Sequence, residues 1–141
     1  MCDFIICSNE TKFIEIFSKR GLIIDFGGGW ILPKLVGFQN TNRLALLAES
    51  ISSEKLLELG LVYKSVDRSE LDSALNLLIE DLSSVSYNSI CQIKKLIRAG
   101  METSMNDFLD LEHDLQLETF EHPDGIEGAM SFLEKRKPDF K

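Results

Sequence analysis

The pattern of apolar and polar positions divides the chain into an extended first third and a helical remainder. Cys2–Cys7 is a short apolar run closed by Ser8-Asn9 and reads as a strand. Within Lys12–Phe17 the apolar Phe13, Ile14, Ile16 and Phe17 surround a single acid, Glu15, a pattern open to a second strand, an irregular extended segment or a helical turn. Helical spacing sets in over Trp30–Leu35 and again over Asn42–Glu49. Ser52-Ser53-Glu54-Lys55 opens a short helix that Gly60 stops, and Leu61–Val66 reads as a further strand. Asp67 and Glu70 have the spacing of a capping box ahead of a helix with Leu71, Ala74, Leu75, Leu78 and Leu82 on one face. One later helix carries Ile90, Ile93, Leu96 and Ile97, and the next Met105, Phe108, Leu109 and Leu115. The last begins at Pro123-Asp124 and runs through Ile126, Met130 and Leu133 until Pro138.

The least regular stretch is Gly21 to Gly29. Its three consecutive glycines disfavour helix and strand alike and point to close backbone approach or positive φ angles. A stable sheet needs several strands and a cover. Only two or three strands are legible here, so the rest of the sheet is expected to lie elsewhere.

Composition changes this picture little: 141 residues with 44% hydrophobic and 27% charged content are those of an ordinary globular domain. The apolar runs are far too short to cross a bilayer, and the start of the chain has no basic region followed by a long apolar stretch. These features read as a cytoplasmic protein without a membrane span. A net charge of −8 argues against nucleic acid as a partner. The one local basic cluster is Lys135-Arg136-Lys137. The three cysteines, Cys2, Cys7 and Cys91, have no zinc-like spacing and read as buried structural thiols. No metal site is expected, and His113 and His122 read as solvated or capping residues.

Three segments resemble one known family, the crotonase superfamily of enoyl-CoA hydratases and isomerases. Cys2-Asp3-Phe4-Ile5-Ile6, then Lys12-Phe13, then Gly21-Leu22-Ile23-Ile24-Asp25-Phe26-Gly27-Gly28-Gly29-Trp30-Ile31-Leu32-Pro33-Lys34-Leu35-Val36-Gly37 is similar to the family's "CD" strand and its "GL-P-D-GG-W-LP-LVG" segment. Glu58-Leu59-Gly60-Leu61-Val62 is similar to its "A-GLV" segment. The run from Asp124-Gly125-Ile126-Glu127-Gly128 to Phe140 is similar to its C-terminal "EG-AF-EKR-P-F" motif. The segments occur in the family's order and span the whole chain.

The resemblance implies an α/β fold: the C-terminal portion of a crotonase-like ββα superhelix with a helical oligomerisation region. Residues 1–66 would form part of the core, and residues 67–141 the helical region. It also implies an acyl-CoA thioester as substrate, with CoA part of the substrate and no separate cofactor. The expected partners are like subunits in a trimer or dimer of trimers, or an intact paralogue. In the family, two backbone N–H groups hold the thioester oxygen as an enolate develops, one such donor being worth about 2.7–4 kcal/mol. Both belong to segments that precede the "CD" strand, so they are expected to be missing from this sequence, along with the first of the two glutamates that hydratases use. The second glutamate falls at Phe17, which cannot transfer a proton. Isomerase-like members place an aspartate in the glycine-rich loop, here Asp25.

Asp25 is therefore the catalytic candidate, with apolar neighbours that would favour proton transfer. A turn aspartate bonding its own loop is the structural alternative. The family's usual proline before it is Ile24 here. Phe26, Gly27, Gly28 and Trp30 are candidate substrate contacts beside it, Trp30 having packing as its alternative. At the other end, Phe132 and Lys135 are candidates for the CoA nucleotide and phosphates. Their alternatives are a hydrophobic anchor and a basic helix end that complements the helix dipole. The reading that follows is an acyl-CoA enzyme acting through an enolate. Its alternative is a non-catalytic module that assembles with an intact crotonase-like partner.

Overall fold

The computed structural model describes residues 2–140, which fall into two units, one ending at Leu77 and the other beginning at Leu78. In the first unit β1 (Ile6–Ser8) pairs in parallel with β4 (Lys64–Val66), with Cys7 opposite Ser65. A second pair, β2 (Lys12–Phe13) and β3 (Ile51–Ser52), is antiparallel. Parallel strands need a long crossover, and α1 (Gly28–Leu46) and α2 (Ser53–Glu58) lie within it. The core of this unit is Cys7, Leu44, Ile51, Leu56 and Val62, with Phe13, Val36, Leu59 and Leu61 packed around them. Buried Ser53 donates to the Asn9 carbonyl at 2.8 Å, which joins α2 to the loop after β1.

The strands are shorter than their apolar runs. Leu61–Val66 contracts to residues 64–66 because the Leu61 N–H is spent on the Leu56 carbonyl at the end of α2, and Gly60 turns there with φ +70°. Cys2–Cys7 contracts to a strand beginning at Ile6, although the Ile5 carbonyl already accepts from Tyr63 at 2.8 Å. The two helical stretches expected over residues 30–35 and 42–49 are one helix bent at Gly37, whose φ +76°, ψ 166° is open to glycine alone. Thr41 restores part of the broken ladder by donating to the Gly37 carbonyl at 2.9 Å. The helix stops at Leu46, earlier than expected, and Ala48 follows in a left-handed conformation.

The capping box expected at Asp67 does not form. Its carboxylate accepts from the Asn9 side chain instead, and residues 68–70 make a 3-10 turn before α3 (Leu71–Ser83). Leu71, Ala74, Leu78 and Leu82 turn inward on α3 as the spacing predicts, while Leu75 is exposed.

The second unit holds α4 (Tyr87–Ala99), α5 (Met105–Glu121) and α6 (Pro123–Glu134), with α5 packed on both others. Ser86 and Ser104 cap α4 and α5 through their hydroxyls. His122 ends α5 and caps α6, its Nδ1 accepting from the Asp124 N–H at 3.1 Å. Buried Asp124 also accepts from Ser86 at 2.6 Å. Gly125 sits so close to α5 that a Cβ there would lie 2.1 Å from the Thr119 carbonyl oxygen. The surprise is α6: it buries Asp124 and Ser131 and leaves Ile126, Met130 and Leu133 exposed.

No helix among the described residues is long and apolar enough to cross a membrane. Of the cysteines, Cys7 is buried as expected, Cys91 is half-buried and Cys2 is exposed.

Candidate functional site

The glycine-rich loop takes its shape from two backbone closures. A 3-10 turn over Ile16–Arg20 ends at Gly21, which has φ +68°, and the Leu22 N–H then donates to the Phe17 carbonyl at 3.0 Å. The chain is thereby turned between Phe17 and Leu22. At the far end the Gly28 N–H donates to the Asp25 carbonyl at 2.8 Å, and the Trp30 and Ile31 N–H groups to the Gly27 carbonyl at 3.0 Å, which starts α1.

Between the closures, Phe26 (φ +47°) and Gly27 (φ +77°) are both left-handed. For a residue with a Cβ this conformation costs roughly 1–2 kcal/mol. Phe26 bears that strain while 98% exposed, so no burial of its ring offsets it within this chain. Asp25 is exposed as well, as is Ile23. The apolar surroundings expected around Asp25 are therefore not built by its own neighbours. Trp30, on the first turn of α1, is half-exposed, with the Lys34 ammonium 3.1 Å from its ring centroid. That is a cation–π contact one helical turn along the same face. Thus Asp25, Phe26, Gly27, Gly28 and Trp30 are brought together on one loop and helix start.

One further residue belongs here that periodicity did not single out. Glu15 is half-buried just ahead of the 3-10 turn, and its carboxyl is held above the ordinary glutamate range. Burial is the larger cause and the charge of Asp25 the second. The only signal in the sequence was an acid isolated among four apolar residues.

Phe132 and Lys135 lie in the second unit. Phe132 is 82% exposed, so it anchors nothing among the described residues. Lys135 ends α6 in a left-handed turn and is exposed. Arg136 is engaged within the unit: it forks onto Glu127, with Nη2 donating to Oε2 at 2.8 Å, and its Nε reaches Glu134 at 2.6 Å. The Asp139 N–H donates to the same Glu127 carboxylate at 2.8 Å. Together these hydrogen bonds bring the Glu127 carboxyl down to about 2. The basic cluster therefore offers Lys135 and Lys137 outward, while Arg136 fastens the tail to α6. A depression of about 440 Å³ there is lined by Pro123, Asp124, Glu127, Arg136 and Asp139, carboxylates outnumbering the single guanidinium.

Comparison with known proteins converges on one family. The family model described as enoyl-CoA hydratase/isomerase matches residues 1–141. The 1,2-epoxyphenylacetyl-CoA isomerase of Escherichia coli is 35% identical over 98% of this chain and 53% of its own length. The trans-2-decenoyl-[acyl-carrier-protein] isomerase of Streptococcus mutans is 34% identical over 98% of this chain and 52% of its own length. Among solved structures, an enoyl-CoA hydratase from Polaromonas superposes with a TM-score of 0.93 at 29% identity, over 99% of this chain and 55% of that one. The chain thus spans about half the length of these relatives. A family match over every residue, joined to the same fold in a solved relative, leads to one statement: the chain belongs to the enoyl-CoA hydratase/isomerase family.

Proposed function

We propose that this chain supplies the acid–base half of a cytoplasmic enoyl-CoA isomerase-type site acting on an acyl-CoA thioester through an enolate. The observation that carries the reading is Asp25: an exposed carboxylate on a strained loop at the start of a helix, in a family that works on such thioesters. Asp25 would take a proton from a carbon conjugated with the thioester carbonyl and return one at another position, shifting the double bond. Phe17 at the family's second glutamate position leaves hydration without its usual base. The exposed Phe26 and Trp30 offer apolar faces to the acyl chain, and Lys135 a charge to the CoA phosphates. CoA enters as part of the substrate.

Turnover on this reading also needs the two oxyanion N–H donors, which the family carries ahead of the segment matched by Cys2-Asp3. They would come with a longer polypeptide, assembling as a trimer or dimer of trimers, or from an intact relative. In a protein that includes them, Asp25→Asn is expected to lower kcat by two or more orders of magnitude with little change in acyl-CoA binding measured by calorimetry. Near-normal turnover of that variant would sink the assignment.

The exposed apolar residues favour a second reading, a non-catalytic module that assembles with an intact family member. Co-purification with such a partner in a fixed ratio, with no change in its activity when Asp25 is replaced, would select it.

A further inference from the structure

The glycine-rich loop closes on itself over residues 25–28. The Gly28 N–H donates to the Asp25 carbonyl at 2.8 Å, and the two residues between them, Phe26 and Gly27, are both left-handed. Positive φ at both central positions is the pattern of a type I′ turn, which a phenylalanine enters only under strain. The Phe26 ring is exposed and does not hold the turn shut. Ile24 does touch it, and is half-buried between exposed Ile23 and exposed Asp25. Its Cγ1 and Cδ1 each lie 2.6 Å from the point where a Cβ on Gly28 would stand, and its Cγ2 lies 3.5 Å from that point on Gly29. The side chain just ahead of the turn thus packs on the bare backbone that ends it. Ile24 is β-branched and stiff at χ1, so its Cγ1 does not swing aside freely.

Resting on the isomerase-type reading of Asp25, we propose that Ile24 is a positioning residue: packed on Gly28, it clamps the strained turn and so aims the Asp25 carboxylate. Asp25 is the first residue of that turn. Its own carbonyl is held by the Gly28 N–H, and the residue before it is held by packing on Gly28 and Gly29. With both sides of Asp25 fixed, the direction in which its Cβ leaves the backbone is fixed as well. Misplacing a reacting group by about 1 Å can cost about 10²-fold in rate. On this account Gly28 is a glycine for room and not for backbone freedom. Unlike Gly27 it has no positive φ, and it is the first residue of α1, where alanine is a good helix former.

A packing cycle in this chain tests the clamp without any turnover. Gly28→Ala is expected to weaken the hydrogen-exchange protection of the amides at positions 28 and 30 by about tenfold or more, the scale of overpacking. Adding Ile24→Ala removes Cγ1, Cγ2 and Cδ1 and leaves Cβ 4.0 Å from the new methyl, so the double variant should recover much of that protection. Gly29→Ala, with its Cβ 3.5 Å from the Ile24 Cγ2, is the control and should change little. A double variant no better protected than Gly28→Ala overturns the clamp. Should Gly28→Ala fail to fold, Ile24→Ala is read alone: protection should fall, and unchanged protection overturns the clamp. In a catalytically complete protein, Gly28→Ala is expected to lower kcat by up to about 10²-fold with KM little changed, and Ile24→Ala in that background to restore most of it. Full activity of Gly28→Ala, or a loss that the second substitution does not mend, overturns the positioning role. Near-normal turnover of Asp25→Asn rejects the reaction instead, and the packing cycle still reads the clamp.

Discussion

Glu127 shows how one carboxylate can be spent entirely on holding the chain. It receives the Arg136 fork and the Asp139 N–H, so its ionised form is favoured far below the ordinary glutamate range. The sign follows directly: a carboxyl depressed in the folded state contributes stability above its ordinary range, and that contribution disappears as pH falls towards about 2. The Glu127 carboxyl resonance should therefore hold its ionised position through pH 4, and Arg136→Gln should bring its midpoint back towards an ordinary glutamate. Glu15 has the opposite sign. Its carboxyl is raised in the folded chain, so its ionisation opposes folding as pH rises through its ordinary range and beyond. Glu15→Gln should accordingly unfold at a higher temperature than the parent near neutral pH, with the difference vanishing in acid. Neither environment was legible in the sequence. Arg136 stands in a basic run that suggests phosphate, and Glu15 in an apolar run open to a strand, an irregular extended segment or a helical turn. What decides Glu127 is Arg136, nine positions away, and what decides Glu15 is chiefly its burial, with the charge of Asp25 second; no periodicity encodes either.

At the scale of elements, local signals are legible in the sequence and distant ones are not. The Ser52 cap and Gly60 stop of α2, the Pro123 start of α6 and the inward face of α3 all lie within a few residues of their cause. The glycine-rich loop was recognised as irregular, and its left-handed residues bear that out, although Phe26 takes such an angle without being a glycine. Asp67 fails as a cap because Asn9, 58 positions earlier, takes its carboxylate. On α6 the apolar residues Ile126, Met130 and Leu133 point outward, while a serine and an aspartate are buried, an orientation that helical spacing alone does not encode. Of the glycines, Gly125 has the least room for a side chain. Alanine there would press its Cβ into a backbone carbonyl that cannot swing aside. Gly125→Ala should destabilise the chain by about 1–3 kcal/mol, the usual range for overpacking, read as a fall in the urea midpoint. Gly128→Ala, whose added carbon would meet only the Phe140 ring at 3.9 Å, is the matched control and should change little.

For the whole molecule, apolar exposure is the dominant fact. Phe26, Ile23 and Phe132 are each more than four-fifths exposed, and many other large apolar side chains are exposed to a lesser degree. Large apolar side chains exposed to this degree favour contact with another surface. The net charge of −8 opposes self-contact, so added salt should promote association of the isolated chain by screening that repulsion. Light scattering from 0.02 to 0.5 M salt checks this, and Phe26→Ser should weaken the effect. The parallel pair of β1 and β4 has a different consequence, one of timing. Ile6 meets Lys64, so residues 6–8 cannot be matched until residues 64–66 have been made. Closing so long a loop is entropically costly and slow, whereas the helical hairpins of α4, α5 and α6 join near neighbours. Those helices should gain amide protection first on refolding, and residues 6–8 should gain it together with residues 64–66.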